Sequence, residues 1–493
     1  MKLSFSTAKF ETASGDVLVK FCRKDNFKKD SILTKIDKAC KGAVKGIFKS
    51  GEFTGKLNQT AVLHAVPGFS AGRIVLAGLG DAGKIDNDSY RQAAGTLSRV
   101  PAVKNAGKVS FFLGDGEDGK SGSAVMEGFI LGRFEIKDYK TGDDLEPDKL
   151  KEVTFYGAGQ KQVEILKKAV ENGRIIAEGV VLVRRLASMP ANSLPPEKFA
   201  SEARKLAAQN KIKISILNER QIRAEKMGAL LAVAQGSAQP PRFVVMQYKG
   251  GKASQKPVVV VGKGVTFDSG GISLKPVLDM HKMKGDMQGG AIILGTMVTA
   301  ARLGLPLNVV GLIPLAENMP SSTALKPGDI VKSRKGKTIE IISTDAEGRL
   351  ILADALDYAN KFKPQAVIDV ATLTGGALYI TGYSGAPVMS NNKKLMDAIR
   401  AASENTAERV WEMPLWDDFH ELIKSPIADI KNSGGRPAAT MTAGAFLENF
   451  VGDWPWAHID VASVDDELKG KPYIPVGASG VGMRLLVELL AAW

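Results

Sequence analysis

Cysteine is scarce in this chain: 493 residues contain only Cys22 and Cys40. Two thiols cannot build a disulfide framework, and the usage fits a reducing cytoplasm. Histidine is also rare, with four residues and no HExxH pair. That excludes a single-zinc protease of the HExxH type, and no GxSxG elbow appears either. Long apolar runs are missing: none approaches the roughly 18 residues of a membrane span. The opening Met1-Lys2-Leu3-Ser4-Phe5-Ser6 lacks the continuous apolar stretch of a secretory leader. A cytoplasmic protein with no membrane partner is expected.

What is present is ordinary in bulk and uneven in charge. Hydrophobic residues make up 44% and charged residues 24%, as in soluble globular proteins. The length allows two or three domains with separate cores. The net charge is +13. Residues 1–60 hold much of the excess, and Lys35, Lys38, Lys41, Lys45 and Lys49 recur at helical spacing. Ile32, Ile36, Ala43, Val44 and Ile47 fall on the other side of that helix, expected over 31–49. The plain reading is a solvated face. The sharper one is a phosphate-binding stripe for DNA, although no aromatic residues interleave with the lysines.

Along the chain, strand-like and helix-like pieces alternate, which predicts α/β architecture. Strands are expected at Arg73–Ala77, Val109–Leu113 and Glu152–Tyr156, with a helix at 88–99. A smaller N-terminal α/β domain then spans 1–157, a connecting helix 158–189, and a larger catalytic α/β domain 190–493. In the latter, strands are expected at Lys213–Leu217, Phe243–Tyr248, Val258–Val261, Asn308–Leu315, Ile339–Ile342 and Ala366–Val370. Helices are expected at 197–209, 289–303, 348–362, 394–404 and 442–452. The unbroken Val258-Val259-Val260-Val261 suits a mixed, largely parallel sheet covered by helices on both faces. Chemistry in such sheets sits beyond the carboxyl ends of the strands.

The most informative stretch is Ser343-Thr344-Asp345-Ala346-Glu347-Gly348-Arg349-Leu350. In an extended segment, Asp345, Glu347 and Arg349 would share one side. Neighbouring carboxylates repel unless a cation sits between them. A second cluster, Gly262-Lys263-Gly264 through Asp268-Ser269-Gly270-Gly271 to Lys275, hangs from a glycine-rich loop after the valine strand. A third, Met283-Lys284-Gly285-Asp286, precedes the helix at 289–303. Asp268, Asp286, Asp345 and Glu347 together match the charge of two divalent ions. Oxygen-rich sites favour Mn, Mg or Zn, and a metal pair can activate water and polarise a carbonyl.

These segments resemble the signatures of the leucyl aminopeptidases, the cytosolic dinuclear metalloaminopeptidases. Asp369–Gly375, Asn432–Arg436 and Trp456–Ala462 are similar to the family as well. The resemblance runs from about residue 190 to 490 and is loose over the first 150. It implies release of N-terminal amino acids, leucine among them, from peptides. It implies two divalent ions, Mn or Zn, on Lys263, Asp268, Asp286, Asp345 and Glu347, with Asp268 and Glu347 bridging. It further implies Lys275 and Arg349 as catalytic residues, with bicarbonate at Arg349. Substrate would meet the backbone at Thr372, Leu373 and Gly375, and Met283 in the first side-chain pocket. A homohexamer is implied too. One departure is Ser343, where the family usually has asparagine.

Two rivals remain at this level. One is another two-metal hydrolase, acting on phosphate esters. The other is a DNA-binding regulator that keeps the peptidase fold. Gly78-Leu79-Gly80-Asp81-Ala82-Gly83 mimics a dinucleotide fingerprint, but an ordinary strand-to-helix turn accounts for it. His281 is expected at the surface and His458 in the core.

Overall fold

The computed structural model describes residues 1–24, 27–114, 118–142 and 147–493. The chain forms two compact units: Met1–Glu178 with Lys469–Val476, and Gly179–Leu468 with Gly477–Trp493. Both are α/β, as the alternation predicts.

The first unit is built on six strands in the order Lys2–Ser6, Glu152–Tyr156, Lys108–Phe112, Val17–Arg23, Arg73–Gly80, Thr60–His64. All neighbours are parallel except the last pair. Period-two alternation sorts the core between the faces. Val17, Val19 and Phe21 join Phe111, Phe129 and Leu166 on one side. Leu18 and Cys22 join Leu33, Ile36 and Phe53 on the other.

The helix expected over 31–49 is instead two, Ser31–Ala39 and Ala43–Ser50. Lys41 and Gly42 take left-handed backbone with φ of 52° and 90°. Gly42 N–H donates to Asp37 O at 2.9 Å and Lys41 N–H to Lys38 O at 3.2 Å. This is the paired bond pattern by which a glycine-containing end stops a helix. The lysine stripe is therefore split, and Lys35 pairs with Glu11.

The second unit holds a nine-stranded sheet. Its order is Val410–Glu412, Ala386–Ser390, Trp456–Asp460, Ala366–Ala371, Val258–Gly262, Asn308–Asn318, Arg242–Lys249, Lys213–Leu217, with Gly264–Asp268 alongside Asn308–Asn318. The centre is parallel and the joins to 386–390 and 242–249 are antiparallel. Val258 to Val261 are fully buried, as an all-apolar central strand requires. The helix Gln288–Leu303 is buried along most of its length. Its start presses on the sheet: a Cβ on Gly289 would lie 2.3 Å from Val370 O. Only glycine permits that approach. No described helix is long and apolar enough to cross a membrane.

Candidate active site

The acidic segments meet beyond the carboxyl ends of the central strands. Lys263 follows the strand Val258–Gly262, and Asp268 ends Gly264–Asp268. Gly270 and Gly271, at φ of 87° and 68°, then turn the chain back toward Lys275. Asp286 closes the short turn Met280–Gly285 just before the buried helix. Thr372, Leu373 and Gly375 follow the strand Ala366–Ala371.

Asp345, Glu347 and Arg349 converge differently from the extended alternation expected of them. The small strand covers only Thr338–Glu340. The chain then turns, Glu347 caps the helix Gly348–Tyr358 with helical backbone, and Arg349 lies inside that helix. The carboxylates are brought in by a turn and a helix start, not by a pleat.

The side chains form one network. Lys263 Nζ lies 2.8 Å from both Asp286 Oδ1 and Glu347 Oε1 and donates to Thr372 O at 2.9 Å. Lys275 Nζ lies 2.8 Å from Asp268 Oδ2 and 2.5 Å from Asp345 Oδ1. Thr372 Oγ1 donates to Asp286 Oδ1 at 2.7 Å. Arg349 Nη1 donates to Asn432 O at 2.9 Å. A Cβ on Gly348 would sit 2.5 Å from Lys263 Cε, so glycine leaves room for that lysine. Met283 is half-buried in the Met280–Gly285 turn, and Gly375 is exposed.

Burial and mutual charge set the protonation chemistry. Burial raises the Asp286 carboxyl despite Lys263, and Glu347 and Asp268 push it further. Glu347 and Asp345 are raised by burial as well. Burial opposes the charge on Lys263, but Asp286, Glu347 and Asp268 outweigh it and raise its pKa. Lys275 is raised the same way, by Asp268, Glu347 and Asp345. Burial pushes Arg349 down to about 10, which leaves it charged at neutral pH.

This donor set fits divalent cations. Ligand oxygens of Asp268, Asp286 and Glu347 lie within 4.8 Å of one another, all buried. Asp286 Oδ2 is buried without a hydrogen-bond partner among the described residues. Glu347 Oε1 likewise has no directed hydrogen bond, only its charge contact with Lys263. Buried carboxylate oxygens left bare are costly unless a cation meets them.

A cytosol aminopeptidase catalytic-domain family matches residues 181–487, and the N-terminal domain of the same family matches residues 17–143. The chain belongs to the cytosol aminopeptidase family. It is thus a metal-dependent aminopeptidase, a hydrolase. A probable cytosol aminopeptidase of Geobacter sulfurreducens is 43% identical over 100% of this chain and 99% of its own length. One from Geotalea uraniireducens is 45% identical over 96% of each. Among solved structures, a tomato leucine aminopeptidase mutant aligns with TM-score 0.89 and 31% identity, covering 100% of this chain and 97% of its own. The bottromycin maturation enzyme BotP in complex with Mn aligns at 0.85 and 33%, covering 97% and 99%.

Three polar residues of this aminopeptidase have bracing roles that the sequence did not assign. Asn318, at the end of Asn308–Asn318, donates to Asp268 Oδ1 at 2.8 Å and to Thr344 O at 3.0 Å, tying two acidic loops together. Asp460 accepts from Leu373 N at 3.0 Å and Thr374 Oγ1 at 2.6 Å, holding the loop after Ala371. Asn432 clamps the turn before Arg349. Asn318 has no local signal in the chain. Asp460 and Asn432 lie in family-like stretches, but their partners come from distant loops. His281 is exposed. His458 is buried, with Nδ1 2.5 Å from Asp369 Oδ1, and Trp456 shares that carboxylate.

Proposed function

We propose that this enzyme removes N-terminal amino acids, leucine among them, from peptides in the cytoplasm, with two divalent ions, Mn or Zn. Lys263, Asp268, Asp286, Asp345 and Glu347 would hold them, Lys263 as a neutral amine whose proton the metal displaces, with Asp268 and Glu347 the bridging candidates. The single observation that carries this reading is the buried trio Asp268, Asp286 and Glu347 with its bare oxygen on Asp286. When bound, such a pair supplies an acidified water and Lewis-acid polarisation of a peptide carbonyl.

The chain's own residues do the rest. Lys275 keeps an ammonium at the edge of the carboxylate cluster, where it stabilises the oxyanion that develops on the carbonyl. Arg349 stays charged and cannot act as a base. It holds a small anion such as bicarbonate at the place where a proton must move. Asp286 receives the free α-amine of the substrate, which confines cleavage to the N-terminal residue. Backbone at Thr372, Leu373 and Gly375 grips the peptide, and Met283 lines the pocket for the first side chain. The catalytic domain in this reading is 190–493, preceded by the connecting helix 158–189 and the domain 1–157.

Assembly as a homohexamer accords with the exposed apolar residues of the second unit, among them Val277, Leu278, Tyr379 and Trp411. The DNA reading rests on the basic N-terminal segment, whose lysines are carried by two helices, Ser31–Ala39 and Ala43–Ser50, and the turn between them.

Hydrolysis of leucine-p-nitroanilide and of p-nitrophenyl phosphate, after chelation and after adding back Mn or Zn, separates the remaining readings. Metal-restored anilide hydrolysis is expected. Phosphatase activity alone would overturn the proposal.

A further inference from the structure

Arg349 is a buried cation whose Nε has no hydrogen-bond partner among the described residues. Its aim rests on Nη1, which donates to the backbone carbonyl of Asn432. Asn432 is itself fully buried and follows the strand Ile430–Lys431, parallel to Thr338–Glu340. Its N–H donates to Glu340 O at 2.9 Å, which anchors it to the strand from which the acidic turn departs.

The carboxamide of Asn432 is spent wholly on that turn. Oδ1 accepts from Ile342 N at 2.8 Å and Ser343 N at 3.3 Å. Nδ2 donates to Ser343 O at 2.7 Å and Ala346 O at 3.4 Å. The turn feeds directly into the helix Gly348–Tyr358, which carries Arg349 near its start. One residue therefore fixes both the chain position from which Arg349 projects and the atom its guanidinium meets. Small displacements of a charged fork matter, because planar bidentate anion binding tolerates little misalignment.

We propose that Asn432 is the positioning residue for Arg349. This rests on the peptidase reading of Arg349 given above. A role confined to folding would cost stability without a matching loss of turnover. A role as scaffold for Asp345 and Glu347 would cost metal.

The test is a double-mutant cycle of Asn432→Ala and Arg349→Ala in the Mn-loaded enzyme. It reads kcat, KM, bound Mn and the unfolding midpoint. Asn432→Ala should lower kcat by about 30-fold, with KM within about threefold and bound Mn equal to the parent's. In the Arg349→Ala background the same substitution should lower kcat by less than about threefold. Asn432→Ser keeps a short polar group at the turn and adds no buried charge. It should give a smaller loss of the same kind, and it carries the test if the alanine variant does not fold. Unchanged kcat, equal losses in both backgrounds, or loss of Mn in step with kcat would overturn the assignment. A parent enzyme inactive on every aminoacyl substrate would instead remove the peptidase reading, and this role with it.

Discussion

Gly348 shows how tightly single residues are bound to this chemistry. It lies between the bridging candidate Glu347 and Arg349, and the space a side chain would need is filled by Lys263. Its neighbours should separate by function. Glu347→Gln keeps the shape of the side chain and removes its charge. Turnover should fall by at least about a thousandfold and bound metal should drop, since breaking a buried charged network is costly. A metal content equal to the parent's would refute the bridging role. Arg349→Ala should slow kcat by about a hundredfold with metal content unchanged. Metal analysis alongside steady-state kinetics distinguishes the two classes. Ser343, where the family pattern has asparagine, offers its backbone and Oγ to the turn, Oγ accepting from Asp345 N at 3.3 Å.

At the scale of elements, local signals located strands and helices well wherever periodicity and apolar runs agree. The connecting helix expected over 158–189 is Gln160–Ser188, and the valine run is a central strand. Local signals failed where a stop depended on two residues, as at Lys41–Gly42, and where a polar stretch could be pleated or turned, as at Ser343–Arg349. In the first unit, the helix Asn87–Leu97 carries Asp88, which accepts from Arg91 and Tyr473 at 2.8 Å and from Gln92 at 2.7 Å. Burial alone would raise its carboxyl, but Arg91, Gln92 and Tyr473 outweigh it and hold it below the ordinary range. A lowered folded-state pKa adds stability that is full above the ordinary aspartate value of about 3.9 and is lost as pH falls through the folded value. Asp88→Asn should therefore lower the unfolding midpoint at pH 7, and the gap to the parent should narrow as pH falls below about 3.9. A gap that stays constant as pH falls through and below that value would show that ionisation of Asp88 contributes nothing.

At the scale of the molecule, metal and self-association are the two external levers. Lys263 and Lys275 already offset part of the carboxylate charge, so the chelated protein should stay folded. Added Mn or Zn should then raise the unfolding midpoint. Linkage at a thousand times Kd is worth about 4 kcal/mol. Calorimetry with and without metal checks this, and a midpoint indifferent to both ions would remove the metal site. Light scattering coupled to size exclusion should give a mass about six times the 52.5 kDa chain. A monomer at micromolar concentration would refute the hexamer.

The residues alone pointed to the α/β class, to acidic loops at strand ends and to Asp268, Asp286, Asp345 and Glu347 as a carboxylate cluster, while Lys263 joined them only through the family resemblance. They could do so because apolar periodicity, glycine-rich turns and clustered carboxylates are written within short windows of chain. Only the tertiary structure decided how those groups face one another, which lysine neutralises which carboxylate, and that Asn318, Asp460 and Asn432 brace the loops. Most of those facts depend on contacts between residues 50 to 90 positions apart. Such contacts are set by sheet order and helix packing, and no short stretch of sequence encodes them.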